Sequence, residues 1–140
     1  MIHRFKIPCS KDSLKAIRSF VNETLSSFAV PELEANLLVL AVDEICANRI
    51  IHSNNNDQSM YVEVVIKKED NDDIIFEIID AGTPFDNTNY KEPNLVHLIQ
   101  ERRKGGLGLM LVNRIMDAIE VTTVGDLSVF RMYKKLSLAS

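Results

Sequence analysis

The sequence predicts a two-layer α/β sandwich (α+β), with helices on one face of a mixed, largely antiparallel sheet. Three observations lead to it. Two pairs of alternating apolar segments are each joined by a short polar turn, the pattern of β-hairpins. Three amphipathic helical stripes fall between the strands rather than after each one. Hydrophobic residues make up 46% of the 140, enough to cover one face of a sheet within one domain spanning 1–140. A doubly wound parallel fold needs single strands alternating with helices, and the hairpins argue against it.

Residues Ile2 to Ile7 read as a short strand. Ser10 offers an N-cap to a helix with the stripe Leu14, Ile17, Val21, Leu25 and Phe28. Pro31 suits the first turn of a second, long helix from Glu32 to His52, which the polar run Ser53 to Asp57 ends. Met60 to Lys68 places Met60, Val62, Val64 and Ile66 on one face, and Asp73 to Ile79 repeats the alternation through Ile74, Phe76 and Ile78. The acidic stretch between them makes the hairpin loop. From Asp80 to Lys104 the pattern loosens, with one short helical segment at Leu95 to Arg102. Leu107 to Ala118 then reads as a helix with Leu107, Leu111, Ile115 and Ala118 in register. Strands at Ile119 to Val124 and Ser128 to Leu136 turn at Gly125-Asp126.

Composition narrows the function classes. A net charge of −4 argues against nucleic acid as the main partner, which calls for a basic face. Arg102-Arg103-Lys104 is locally basic, too small for a nucleic-acid footprint but suited to a phosphate. Cys9 and Cys46 form neither a disulfide framework nor a CxxC metal pair. With no leader pattern and no long apolar run, the expectation is a cytoplasmic protein without a membrane span.

Three polar constellations carry the chemistry. In Lys104-Gly105-Gly106-Leu107-Gly108-Leu109, glycines open onto a helix, where bare backbone and unpaired N–H groups form a ready anion site. The plainer reading is a tight connection. The run follows a helical segment rather than a strand and matches neither GxxxxGK[ST] nor a full GxGxxG, so the common phosphate loops do not apply. Glu44, Asn48 and His52 stand at i, i+4 and i+8, along one helix side within about 80°. A carboxylate and a carboxamide so placed can orient water or Mg²⁺ before a phosphate; they can equally be a solvated stripe, with His52 capping the last carbonyls. Asp80-Ala81-Gly82 ends an apolar strand, where the carboxylate can read a flat heterocycle such as adenine, or simply make a turn.

In order and spacing these pieces resemble the nucleotide site of the GHKL ATPase superfamily, which includes gyrase, Hsp90, histidine kinases and MutL. The asparagine box is matched by Glu44-Ile45-Cys46-Ala47-Asn48, the first glycine box by Asp80-Ala81-Gly82 and the second by Gly106-Leu107-Gly108-Leu109. Within the group the chain is similar to the bacterial anti-sigma-factor serine/threonine protein kinases, on the strength of Asp43-Glu44 through His52, Thr83-Pro84-Phe85-Asp86 and the short lid ending in Gly-Gly-Leu-Gly-Leu. The resemblance implies a Bergerat-type sandwich that binds ATP with Mg²⁺. It makes Glu44 the general base, Asn48 the residue that reaches Mg²⁺ and phosphates, and Asp80 with Gly82 the adenine contact. Backbone from Gly105 and Gly106 through Leu107, Gly108 and Leu109 holds the phosphates, and Arg103 or Arg102 in the lid meets the γ-phosphate. The partners implied are a sigma factor and an anti-sigma-factor antagonist protein, with a homodimer as a further implication. Two other readings accompany it: a catalytically weak, nucleotide-gated protein-binding module, and a detached histidine-kinase-type ATPase domain.

Two positions depart from the family pattern. Arg49 follows Asn48, where a small residue is usual, so its guanidinium must snorkel outward, pair with a carboxylate or intrude near the pocket. The last strand carries Val129-Phe130-Arg131 where many relatives place a threonine that supports the adenine-reading aspartate. Water, Thr122 or Thr123 are the substitutes in view.

Overall fold

Alternating apolar side chains assemble five strands into one sheet in the computed structural model, which describes residues 1–54, 57–69, 72–82 and 106–136. The strands are β1 (Ile2–Pro8), β2 (Tyr61–Lys68), β3 (Asp73–Asp80), β4 (Ala118–Val124) and β5 (Leu127–Lys135), in the spatial order β1-β2-β3-β5-β4. All four pairings are antiparallel, so the sandwich stands as expected and its described sheet has no parallel pair. The helices are α1 (Ser13–Ser27), α2 (Glu32–Ala47) and α3 (Gly106–Ile115). The short helix expected at Leu95 to Arg102 lies outside the described residues. None of the helices among the described residues is long and apolar enough to cross a membrane.

One face of the sheet makes the core. Val62, Val64 and Ile66 of β2, Ile74, Phe76 and Ile78 of β3, and Met132 of β5 are fully buried. They meet Ile17, Val21 and Leu25 of α1 and Leu38, Ala41, Val42 and Cys46 of α2. The stripes read for α1, β2 and β3 are therefore the buried ones. That of α3 is not: Val112 and Met116 are buried while Leu111 is exposed, and Ala118 belongs to β4. This helix is ten residues long, begins at a glycine and is apolar on more than one side, so its periodicity did not single out a face.

The helix-free face mixes apolar residues such as Val65 and Val129 with a charged cluster. Glu77 is buried there between Lys67 at 2.9 Å and Arg131 at 2.6 Å, and Arg131 reaches on to Glu120 at 3.1 Å. Burial alone would raise the Glu77 carboxyl, but hydrogen bonds from Lys67 and Arg131, with their charges, hold it below the usual carboxylate range.

Local chemistry sets the boundaries. Ser10 does not cap α1; it accepts the Asp12 N–H at 3.2 Å in the turn before the helix, which starts at Ser13. Pro31 stands one place ahead of the first turn of α2, with its carbonyl accepting the Ala35 N–H at 2.8 Å. Gly125, at φ +61°, opens a two-residue hairpin between Val124 and Leu127, where a left-handed first position matches strand twist. α1 ends in a Schellman motif: Val30 N–H bonds Leu25 O at 3.1 Å and Ala29 N–H bonds Ser26 O at 3.0 Å. The left-handed residue there is Ala29, at φ 60°, where glycine is the unstrained choice.

Left-handed backbone disfavours a Cβ by about 1–2 kcal/mol, and glycine's looser unfolded chain offsets about 0.4–1 kcal/mol of any relief. Ala29→Gly is therefore expected to stabilise the fold by about 0.5–1 kcal/mol in urea denaturation. A loss of stability would mean that the Ala29 methyl contributes packing that outweighs its strain.

Candidate functional site

The buried face of α2 runs through Val42, Ile45 and Cys46, and the next position on it is Arg49. The helix changes winding there: Asn48–Ser53 forms a π-helical segment, closed by a bond from the Asn54 N–H to Arg49 O at 3.0 Å. The single helix expected from Glu32 to His52 thus ends as an α-helix at Ala47. The His52 side chain lies outside the described residues, while Glu44 and Asn48 stand one turn apart where the α-helix passes into the π-helical segment. Both are half-buried. Burial raises the Glu44 carboxyl above its ordinary value, and the neighbouring Asp43 charge adds to the rise.

Asp80 ends β3 on the core-facing side, in register with Val62 of β2 and Ser128 of β5. Arg49 grips it with two prongs: Nε donates to Oδ1 at 2.8 Å and an η-nitrogen to Oδ2 at 3.0 Å. The side chains of both residues are almost wholly removed from solvent, at 2% and 0% exposure. Asn54 Nδ2 donates to Asp80 Oδ2 at 2.9 Å and to Arg49 O at 2.7 Å, and the Gly82 N–H donates to the same Oδ2 at 3.0 Å. Of the three fates open to Arg49, it pairs with a carboxylate and by doing so enters the site.

Ser128, not Thr122 or Thr123, is the hydroxyl beside Asp80. Its Oγ is buried with no partner among the described residues, whereas Thr123 pairs with Ser128 one strand further out. Sequence reading missed Ser128 and Asn54. Counting β5 back in step with β3 would have found the serine; Asn54 had no signal beyond membership of a polar run. Buried Cys9 lies close enough to feel Asp80 and Arg49. Its thiol is pushed up to about 11, by burial first, then by Asp80 and Asp57 against the opposing Arg49, which leaves it protonated and unreactive at neutral pH.

Gly106 opens α3, which packs its Val112 and Met116 into the core beside α2. Leu109 is half-buried in its first turns. Side chains at Leu107 and Gly108, and all of Arg102, Arg103, Lys104, Gly105 and Thr83 to Asp86, lie outside the described residues.

The two ends of this site suit ATP with Mg²⁺ differently. Glu44 and Asn48 present oxygen donors on adjoining turns, the hard ligands that Mg²⁺ accepts alongside phosphate, and the glycine-started α3 offers free N–H groups to an anion. At the other end, Asp80 already accepts four hydrogen bonds, three on Oδ2 and one on Oδ1, two of them from the Arg49 guanidinium. A cavity of about 260 Å³ adjoins the Asp80 backbone, but Lys6, Tyr61, Glu63, Ile79 and Leu127 line it from the strand ends and helix-free side.

The described fold is thus a two-layer sandwich in which the Glu-x-x-x-Asn helix leads into Arg49, paired with the acidic end of β3, and a further helix starts at a glycine. Comparisons with known proteins place it in a family. The Histidine kinase-like ATPase domain profile matches residues 7–134, and the chain belongs to that family. It is 29% identical over 123 residues to the serine-protein kinase RsbW of Bacillus pumilus, covering 83% of this chain and 75% of that protein. For the Bacillus subtilis RsbW the identity is 28% over 122 residues, with 83% and 74% covered. Among solved structures, the RsbU and RsbW domains of a Mycobacterium tuberculosis protein superpose with a TM-score of 0.72 at 12% identity. That match covers 100% of this chain and 34% of the longer one. The SiaB–SiaC complex of Pseudomonas aeruginosa superposes at 0.59 and 15% identity, covering 94% and 88%.

Breaking the buried pair from one side leaves an uncompensated charge, so Asp80→Ala is expected to lose about 3–5 kcal/mol in chemical denaturation. The double variant Arg49→Met/Asp80→Leu should lose less than Asp80→Ala alone, because neither charge then remains buried. A double variant as unstable as the sum of the two single changes would show that the pair is not coupled.

Proposed function

We propose that the protein is an ATP-dependent serine/threonine protein kinase that serves as an anti-sigma regulatory factor, binding a sigma factor and phosphorylating an anti-sigma-factor antagonist. Support comes from membership of the ATPase family, from curated relatives named serine-protein kinases, and from a half-buried Glu44 one helical turn from Asn48. Bound ATP supplies the phosphoryl group. Glu44 orients the attacking hydroxyl and takes its proton, and its raised affinity for protons suits it to that task. Asn48 would hold Mg²⁺ and the phosphates, and the resemblance assigns the phosphate chain to the backbone of Gly105 to Leu109, with Arg103 or Arg102 meeting the γ-phosphate. Positioning and charge neutralisation of this kind account for most phosphoryl transfer. A homodimer and a cytoplasmic setting accompany the reading.

A second reading, a nucleotide-gated binding module with weak catalysis, is favoured by one observation: Arg49 already holds Asp80. Incubation with [γ-³²P]ATP and candidate antagonist proteins separates the two, since transfer to a serine or threonine supports the kinase and ATP binding without transfer supports the module.

Loss of a general base typically lowers a rate about 10²- to 10⁴-fold, so Glu44→Gln is expected to reduce antagonist labelling by about a hundredfold or more. The wild-type rate should rise with pH along a limb displaced above that of an ordinary glutamate, and the variant should lack it. A carboxyl raised by folding stabilises the fold while protonated, and that contribution is lost as pH rises through its raised value. Glu44→Gln should therefore melt higher than wild type near pH 7, with the gain vanishing below about pH 4. A wild-type labelling rate in the variant would remove Glu44 from the chemistry.

A further inference from the structure

We propose that Arg49 is an internal latch on the base-reading carboxylate, so that this chain's nucleotide site is self-occluded at the adenine end and becomes adenine-selective only when Arg49 withdraws. The proposal rests on the reading of Asp80 as the acceptor for an adenine amino group. Three observations carry it. The acceptor is engaged on both oxygens: Arg49 donates to Oδ1 and to Oδ2, and Asn54 and the Gly82 backbone crowd two more donors onto Oδ2. The ground over Gly82 is taken as well, because a Cβ built there would stand 2.6 Å from Asn54 Oδ1 and 2.8 Å from its Nδ2. A flat base has no room against Gly82 while Asn54 keeps that place. Finally, the closed state is imperfectly satisfied: Asn54 Oδ1 and Ser128 Oγ are buried with no partner among the described residues. Ser128 stands opposite Asp80 on β5, so its hydroxyl stays available to a purine that enters once Asn54 has moved with the latch.

A neutral amino group offers one hydrogen bond against the two charge-assisted bonds of a guanidinium in a dry setting, so adenine does not displace Arg49 by competition alone. Reading the base requires the minor, open population, and apparent affinity falls by the fraction that is open. Guanine carries an oxygen where adenine carries its amino group. A latched site therefore has little basis for telling ATP from GTP, and an unlatched one has a strong basis.

The test is calorimetric titration of the full chain with MgATP and MgGTP, for wild type and Arg49→Ala, with melting curves to verify that the variant folds. The expected wild type binds both nucleotides weakly and within about threefold of each other, held to phosphate contacts. Arg49→Ala should bind ATP about tenfold to a hundredfold more tightly and prefer it to GTP by at least about tenfold, while Arg49→Lys falls between. Base preference is the readout that a merely structural arginine would not move. A folded Arg49→Ala with unchanged ATP affinity overturns the latch. So does a wild type that already prefers ATP by about tenfold or more, which leaves the nucleotide site itself standing and decides the question even if the variant does not fold. Absence of ATP binding in both folded proteins overturns the nucleotide reading and the latch together.

Discussion

The Arg49–Asp80 pair is the constraint around which this end of the sandwich is built. It joins the end of α2 to the end of β3 across the layer boundary, with both side chains out of solvent. Charges so placed are tolerable only when every remaining donor and acceptor finds a partner, and the neighbourhood is arranged to that end. The Gly82 N–H turns back onto the carboxylate, which fixes the chain as it leaves β3. Asn54 bridges Asp80 and the Arg49 carbonyl, which ties the π-helical segment to the strand end. Remove the pair and the turn after β3, the winding after Ala47 and the placing of Asn54 all lose their common anchor.

Unfavourable local arrangements are distributed unevenly. Away from this end, helix α1 closes in a full Schellman motif, Phe5 stacks on Phe20 at 5.1 Å, and the β4–β5 hairpin has glycine where a left-handed residue is needed. Around Asp80 two oxygens, Asn54 Oδ1 and Ser128 Oγ, are buried with no partner among the described residues and a helix departs from α geometry, whereas such features elsewhere stand singly, as with the unpartnered His3 Nε2 and Ala29 at φ 60°. An isolated buried orphan disfavours folding by about 1–3 kcal/mol, so a cluster of them is not what packing alone would select. Such concentration is the mark of a site whose geometry is set by what it does.

Much of the fold was legible because it follows from periods of two and near four. Most of the stripes of β2, β3 and α1 were read correctly, with Leu14 and Met60 at their edges only half-buried, although Val65, Ile75 and Ile79 interrupt the alternation with apolar residues. α3 was misread by one position because a short apolar helix after glycines has several candidate faces. The site was legible in part, and for a different reason. Glu44, Asn48, Asp80 and Gly82 stand out as polar or bare positions in apolar surroundings, whereas Ser128 is one small residue among many until the register sets it opposite Asp80. Arg49 could be flagged as out of place, but its fate depended on a partner 31 positions away. Long-range pairing of that kind leaves no periodic trace.

The change of winding after Ala47 separates two duties that a straight helix would couple. Glu44 lies on the regular part of α2, while Arg49 lies within the π-helical segment that starts at Asn48. Five positions apart on an α-helix means about 140° around the axis, so the two residues already face different ways. An added residue in the turn beyond Ala47 is a local distortion, and it can relax without moving the well-packed turns before it, where Val42, Ile45 and Cys46 are locked into the core. Release of Arg49 from Asp80 would thus draw on Asn48–Ser53, Asn54 and the turn at Gly82, none of which carries Glu44. On the proposed reading, access for the base and alignment of the Glu44 carboxylate fall to different stretches of one helix, so that the first would be open to regulation without disturbing the second.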